Sequence, residues 1–223
     1  MKQMNKIVRL TISLCCVLIV AGCAITVGAN GSSSGDLDSV FGGVDVGQNS
    51  NVGNISSVNG GIDIESGATA RRVDTVNGSI ELSDNVVIDS AKTVNGSIDA
   101  GSALVVTNNL ETVNGSILIG EKSEIGGSLI TVNGDIELSQ VTIAKNVETV
   151  NGDILLTNGT LINGDLVIEK SNGWFSSFNG DDLEIRIDET SAVIGTIHLH
   201  KKVRLKIADG AKIGEIKKYY LRQ

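Results

Sequence analysis

The chain has 223 residues, with 27 glycines, no proline, three cysteines, only 3% aromatic residues and a formal net charge of −8. Without its first 22 residues, which hold three basic and no acidic side chains, the net charge is −11. So acidic a chain is a poor partner for nucleic acid, and one left with Cys23 alone can form no internal disulfide, CxxC redox pair or thiolate zinc site.

Lys2, Lys6 and Arg9 precede an apolar run, Leu10 to Val20, that ends in small residues. This is the layout of a secretory signal over residues 1–22, too short and wrongly flanked for a stable membrane span. The stretch Val20-Ala21-Gly22-Cys23 resembles a bacterial lipoprotein lipobox, which implies cleavage before Cys23 and acylation of that cysteine. Several acyl chains on one residue anchor stably where a single chain would be marginal. Ala24, rather than an aspartate, follows the cysteine, which implies outer-membrane sorting in a host with two membranes. Residues 23–39, rich in Gly and Ser, read as the lipidated cysteine and a flexible tether.

From Val40 to Val106 every sixth residue is aliphatic or alanine, a period that fits neither a helix nor an ordinary hairpin. A longer repeat overlies it. Val-Asn-Gly recurs at 58–60, 76–78, 94–96, 113–115, 132–134 and 150–152, most copies extending to Thr-Val-Asn-Gly-[Ser/Asp]-Ile. The spacing predicts an all-β fold, a single-stranded parallel β-helix. Each coil has 18 or 19 residues in three six-residue sides, and each side points two apolar side chains inward, as in the pairs Val76/Ile80, Val94/Ile98 and Val113/Ile117. Roughly nine or ten such coils make a rod ~45 Å long. Abundant Val and Ile, few rings and no proline suit a narrow β interior whose every coil donates backbone hydrogen bonds. Asn59, Asn77, Asn95, Asn114, Asn133 and Asn151 are read as structural: corner residues tolerating φ > 0, rungs of a stacked amide ladder, or both.

The regular β-helix is expected over 40–170, with an irregular C-terminal section and basic cap over 171–223. Residues 24–185 carry a net charge of −16 and residues 186–223 a net of +5, an acidic shaft with a basic tip. Trp174, Phe175 and Phe178 read as a plug at a widened corner or as an exposed recognition patch. Asp181 and Asp182 offer oxygen ligands for calcium, but without the loop of a calcium motif. His198 and His200, two residues apart on a strand between inward Ile197 and Leu199, point the same way. With Lys202, Arg204 and Lys206 they are expected to form a basic ridge. That ridge is a solvated face or a contact for a polyanion or an acidic partner; a metal site would need a third ligand, and none accompanies the histidines. No nucleophile elbow, zinc-protease helix or phosphate loop occurs, so the expectation is a non-catalytic protein without cofactor or metal.

The Thr-Val-Asn-Gly-[Ser/Asp]-Ile units over roughly residues 55–170 resemble the adhesin-like β-solenoid families of bacterial envelope proteins, which implies surface exposure. Ile125-Gly126-Gly127-Ser128-Leu129 and Ala192-Val193-Ile194-Gly195-Thr196-Ile197 resemble bactofilins, polymer-forming β-helices of the cytoplasmic side. The resemblances imply a right-handed helix and carry over no catalytic residue. The reading that results is a lipid-anchored envelope protein whose rigid solenoid is a spacer or interaction surface. Its partners would be the membrane through Cys23 and an envelope polymer, glycan or envelope protein. The rivals are a self-assembling scaffold and, more remotely, a carbohydrate-active β-helix enzyme.

Overall fold

The computed structural model describes residues 24–33, 35–170 and 183–221. The signal segment, Cys23, the aromatic trio Trp174, Phe175 and Phe178, and Asp181 with Asp182 lie outside the described residues.

The chain winds into a parallel β-solenoid of about nine turns with almost no helix. Three parallel sheets of ten, seven and ten strands form its faces, here the first, second and third. One coil is typical. Ile80–Leu82 lies on the first face, Val87–Ile88 on the second and Ser90–Lys92 on the third. Successive coils stack without slip: Ile62, Ile80, Ile98, Ile117, Ile136 and Ile154 are partners in one column. The isoleucines of that column are at most 1% exposed, and they belong to one continuous aliphatic cluster that runs along the rod.

Which residues point inward differs from expectation at one corner. Val58 is 41% exposed, and Val76, Val94 and Val113 are half-buried on the outside. The inward residues there are the threonines just before them: Thr75, Thr93 and Thr112 are at most 4% exposed. A coil therefore buries, for example, Ile80 with Leu82, Val86 with Ile88, and Ala91 with Thr93. Alternation holds along most strands, as in the buried–exposed–buried pattern of Ile80–Leu82, but the corner between the third and first faces takes one residue more than a six-residue side provides. The lattice thus meets the core on two faces and misses it by one residue on the third.

Two boundaries also move. Strands occupy Ile25–Val27, Ser32–Ser33 and Leu37–Phe41, and they pair with Val44–Val46, Asn51–Val52 and Ile55–Asn59. The segment expected as a tether is therefore the first coil. At the other end Ile154, Leu161 and Leu166 pair with Ile185, Ala192 and Ile197, each 31 residues on, and the three sheets then continue to Ile207, Ile213 and Lys218. The twelve residues 171–182 account for the excess, and the sheets on either side of them are in register.

Candidate functional site

The repeat is the most chemically specific part of the molecule, and each of its residues has a task. The Thr hydroxyl donates to the carbonyl of the glycine one coil below: Thr75 to Gly60, Thr93 to Gly78 and Thr112 to Gly96 at 2.9 Å, Thr131 to Gly115 at 3.1 Å. The glycines stack so tightly that a Cβ on Gly78, Gly96, Gly115 or Gly134 would collide with the carbonyl of the glycine beneath. The residue after glycine is Ser or Asp because its side-chain oxygen accepts the amide of its counterpart one coil above. Ser79 accepts from Ser97 at 3.2 Å, Ser116 from Asp135 at 3.2 Å and Asp135 from Asp153 at 2.8 Å. The closing isoleucine enters the core.

The asparagines form an amide ladder. Asn77 Nδ2 donates to Asn59 Oδ1 at 3.0 Å, and Asn95, Asn114, Asn133 and Asn151 each donate to the rung beneath at 2.9–3.0 Å. The chain does turn between the third and first faces at Asn-Gly, but none of the six asparagines takes the positive φ expected there. The left-handed non-glycine residues lie at the corner between the first and second faces: Asn30, Asn49, Asn85, Ala103, Lys122, Gln140 and Asn158, with φ between 53° and 61°. The ladder's upper end meets Lys201, whose Nζ donates to Asn151 Oδ1 at 2.8 Å; burial pushes this lysine below its ordinary range.

The outward columns carry the charge. Asp45, Asp63, Glu81 and Asp99 stand in register on the first face. Burial, then Glu81 and Asp45, raise Asp63 above the usual carboxylate range; burial, then Glu81, raise Asp99. Further up, on that face, Glu184 is only 7% exposed and gathers three cations. Lys206 Nζ is at 3.0 Å, Arg204 Nη1 at 3.1 Å and Arg186 Nε at 3.0 Å. Lys206 first, then Arg186 and Arg204, hold this carboxyl down at about 2.

The expected basic ridge is divided. His198 belongs to the third face and Arg204 with Lys206 to the first, because a corner at 200–203 interrupts the strand on which a two-residue spacing could continue. Lys202 is exposed in that corner. His198 Nδ1 is 2.9 Å from the Tyr219 hydroxyl and Nε2 is 3.5 Å from Asp165 Oδ2, while the His200 ring stacks on Tyr219 at 4.4 Å. The histidines thus brace the terminal turn, Tyr219–Leu221, against the third face. Ile197 and Leu199 do point inward, at 0% and 1% exposure. Among the described residues no group of three or more His, Cys, Asp or Glu is placed to hold a metal ion. Sequence reasoning missed Lys201, Glu184 and Tyr219. Lys201 reaches 50 residues back, Tyr219 acts on histidines of the adjacent coil, and Glu184, apart from Arg186 two residues on, draws Arg204 and Lys206 from the adjacent coil; no local spacing signals these long contacts.

No family model, curated protein or solved structure matches the chain.

Proposed function

We propose that this is an exported cell-envelope protein, anchored by acylated Cys23, whose solenoid is a rigid spacer presenting a non-catalytic interaction surface. The observation that carries the reading is the continuity of the rod. One ten-stranded sheet runs from Ile25 to Ile207 and another from Leu37 to Lys218, with a seven-stranded sheet from Val87 to Ile213 between them and side-chain ladders along a corner, close behind the lipobox-like segment. Rigidity along one axis is what a spacer requires, and the +5 tip stands at the end away from Cys23 as a contact for an anionic envelope polymer, glycan or acidic envelope protein. With the first strand starting two residues after Cys23, the rod would rise from the bilayer with little tether.

The test is membrane fractionation with palmitate labelling of the full chain and of Cys23→Ala. Labelled protein in the membrane fraction, lost in the variant, supports the reading; unlabelled soluble protein in both overturns it. A second reading, self-assembly, is favoured by the uncovered last coil, where Leu205, Ile207 and Ile213 are only partly buried and Ile216 is 37% exposed. Open solenoid ends are pairing edges.

A further inference from the structure

The asparagine ladder has a direction. Every Nδ2 donates toward the N-terminal end and every Oδ1 accepts from above, over five consecutive bonds. Aligned amide dipoles add, as peptide dipoles do along a helix, so the Asn59 end is partially positive and the Asn151 end partially negative. The positive end is met by a backbone carbonyl, Val40 O, at 3.3 Å from Asn59 Nδ2. At the negative end the Asn151 oxygen accepts from no further asparagine among the described residues, and the next coil lengthens there from 18 or 19 residues to 31.

We propose that Lys201 is the terminal rung of this ladder, an internal cation seated on its negative end that locks the last two coils to the regular shaft. Lys201 lies 50 residues beyond Asn151, two coils up the same corner. Two coil spacings are about 9–10 Å. A fully extended lysine chain plus one hydrogen bond crosses that gap; an asparagine side chain, which spans one spacing, does not. The choice of a long cation is therefore dictated by distance as well as by charge. The half-buried stem of Lys201 fits the same role, since a lysine held only by solvent would keep its charge outside. Neighbouring Lys202, exposed and one residue along, shows the solvated alternative. The proposal stands apart from the membrane reading and needs no lipid, so either can fail alone.

Hydrogen exchange on residues 24–223 tests it. A hydrogen bond to a charged group predicts that Lys201→Met speeds amide exchange in strands 184–187, 197–199 and 204–207 by about tenfold, leaving strands between 44 and 130 unchanged. Lys201→Arg should retain most of the protection. In an Asn151→Ala background Lys201→Met should add nothing. Wild-type exchange in Lys201→Met, or an undiminished effect of Lys201→Met when Asn151 is already alanine, overturns the proposal. If Lys201→Met does not fold, the same comparison is made with Lys201→Gln, and Lys202→Met serves as the neutral control.

Discussion

At the scale of the residue, stability rests on a few atoms repeated many times. Gly96 has no room for a Cβ above the Gly78 carbonyl, and that clash involves backbone, which cannot swing aside. Gly96→Ala is expected to cost about 3 kcal/mol or to force the coils apart, read as a fall in the denaturant midpoint. The threonines allow a sharper comparison. Thr93→Val strips the Gly78 carbonyl of its hydroxyl donor and should cost about 1–3 kcal/mol. Thr149 is as buried as its counterparts, at 1%, yet its Oγ1 has no partner among the described residues. Thr149→Val should therefore be neutral or stabilising, by up to about 1 kcal/mol, in the same denaturant titration. Equal losses in the two variants would show that the hydroxyl bonds contribute nothing.

At the scale of the element, each corner solves a different problem. The corner between third and first faces is built for close stacking, and the Thr-Val-Asn-Gly-[Ser/Asp]-Ile signature records that. The corner between first and second faces is built for a left-handed residue, and the sequence there varies: Asn49, Gly67, Asn85, Ala103, Lys122, Gln140. Ala103, at φ 58°, lacks the local hydrogen bonding that lets asparagine take this conformation, so Ala103→Asn should stabilise by about 0.5–1 kcal/mol, seen as a raised melting temperature. The motif was legible because it demands particular atoms at every coil. The left-handed corner was not, because it demands a conformation that several side chains tolerate at modest cost. Reading the valine as the inward residue of its side was an error of one position, caused by a corner whose length the period does not reveal.

At the scale of the whole molecule, charge is sorted along the axis, and pH should act in opposite ways on the Asp63–Asp99 column and on Glu184. Asp63 and Asp99 have raised carboxyls in the folded state. Their favourable contribution is present when they are protonated and is lost as pH rises through the folded value. Glu184, held at about 2, contributes stability above the ordinary carboxylate range, and that contribution disappears as pH falls from there toward 2. Thermal melts should therefore show stability rising on mild acidification from neutral and falling again toward pH 2. Asp63→Asn should flatten the first limb, and Glu184→Gln the second. A monotonic fall from neutral in both the parent and Asp63→Asn would contradict this. Salt bears on the second functional reading: if the basic tip joins rods, sedimentation of residues 24–223 should show multimers at low salt that dissociate at high salt.

The sequence alone determined the architecture, because a stacked coil must reuse the same atoms at the same height. Repetition therefore writes the 18- or 19-residue period, the aliphatic core and the amide ladder directly into the chain. Tertiary structure decided what repetition cannot record. It made the first coil begin at Ile25, turned Val76 outward and Thr75 inward, divided His198 and His200 from Arg204 and Lys206, and brought Lys201 across two coils to Asn151. Each of these depends on where a corner falls and which coil lies above it, quantities set by packing between residues far apart in the chain.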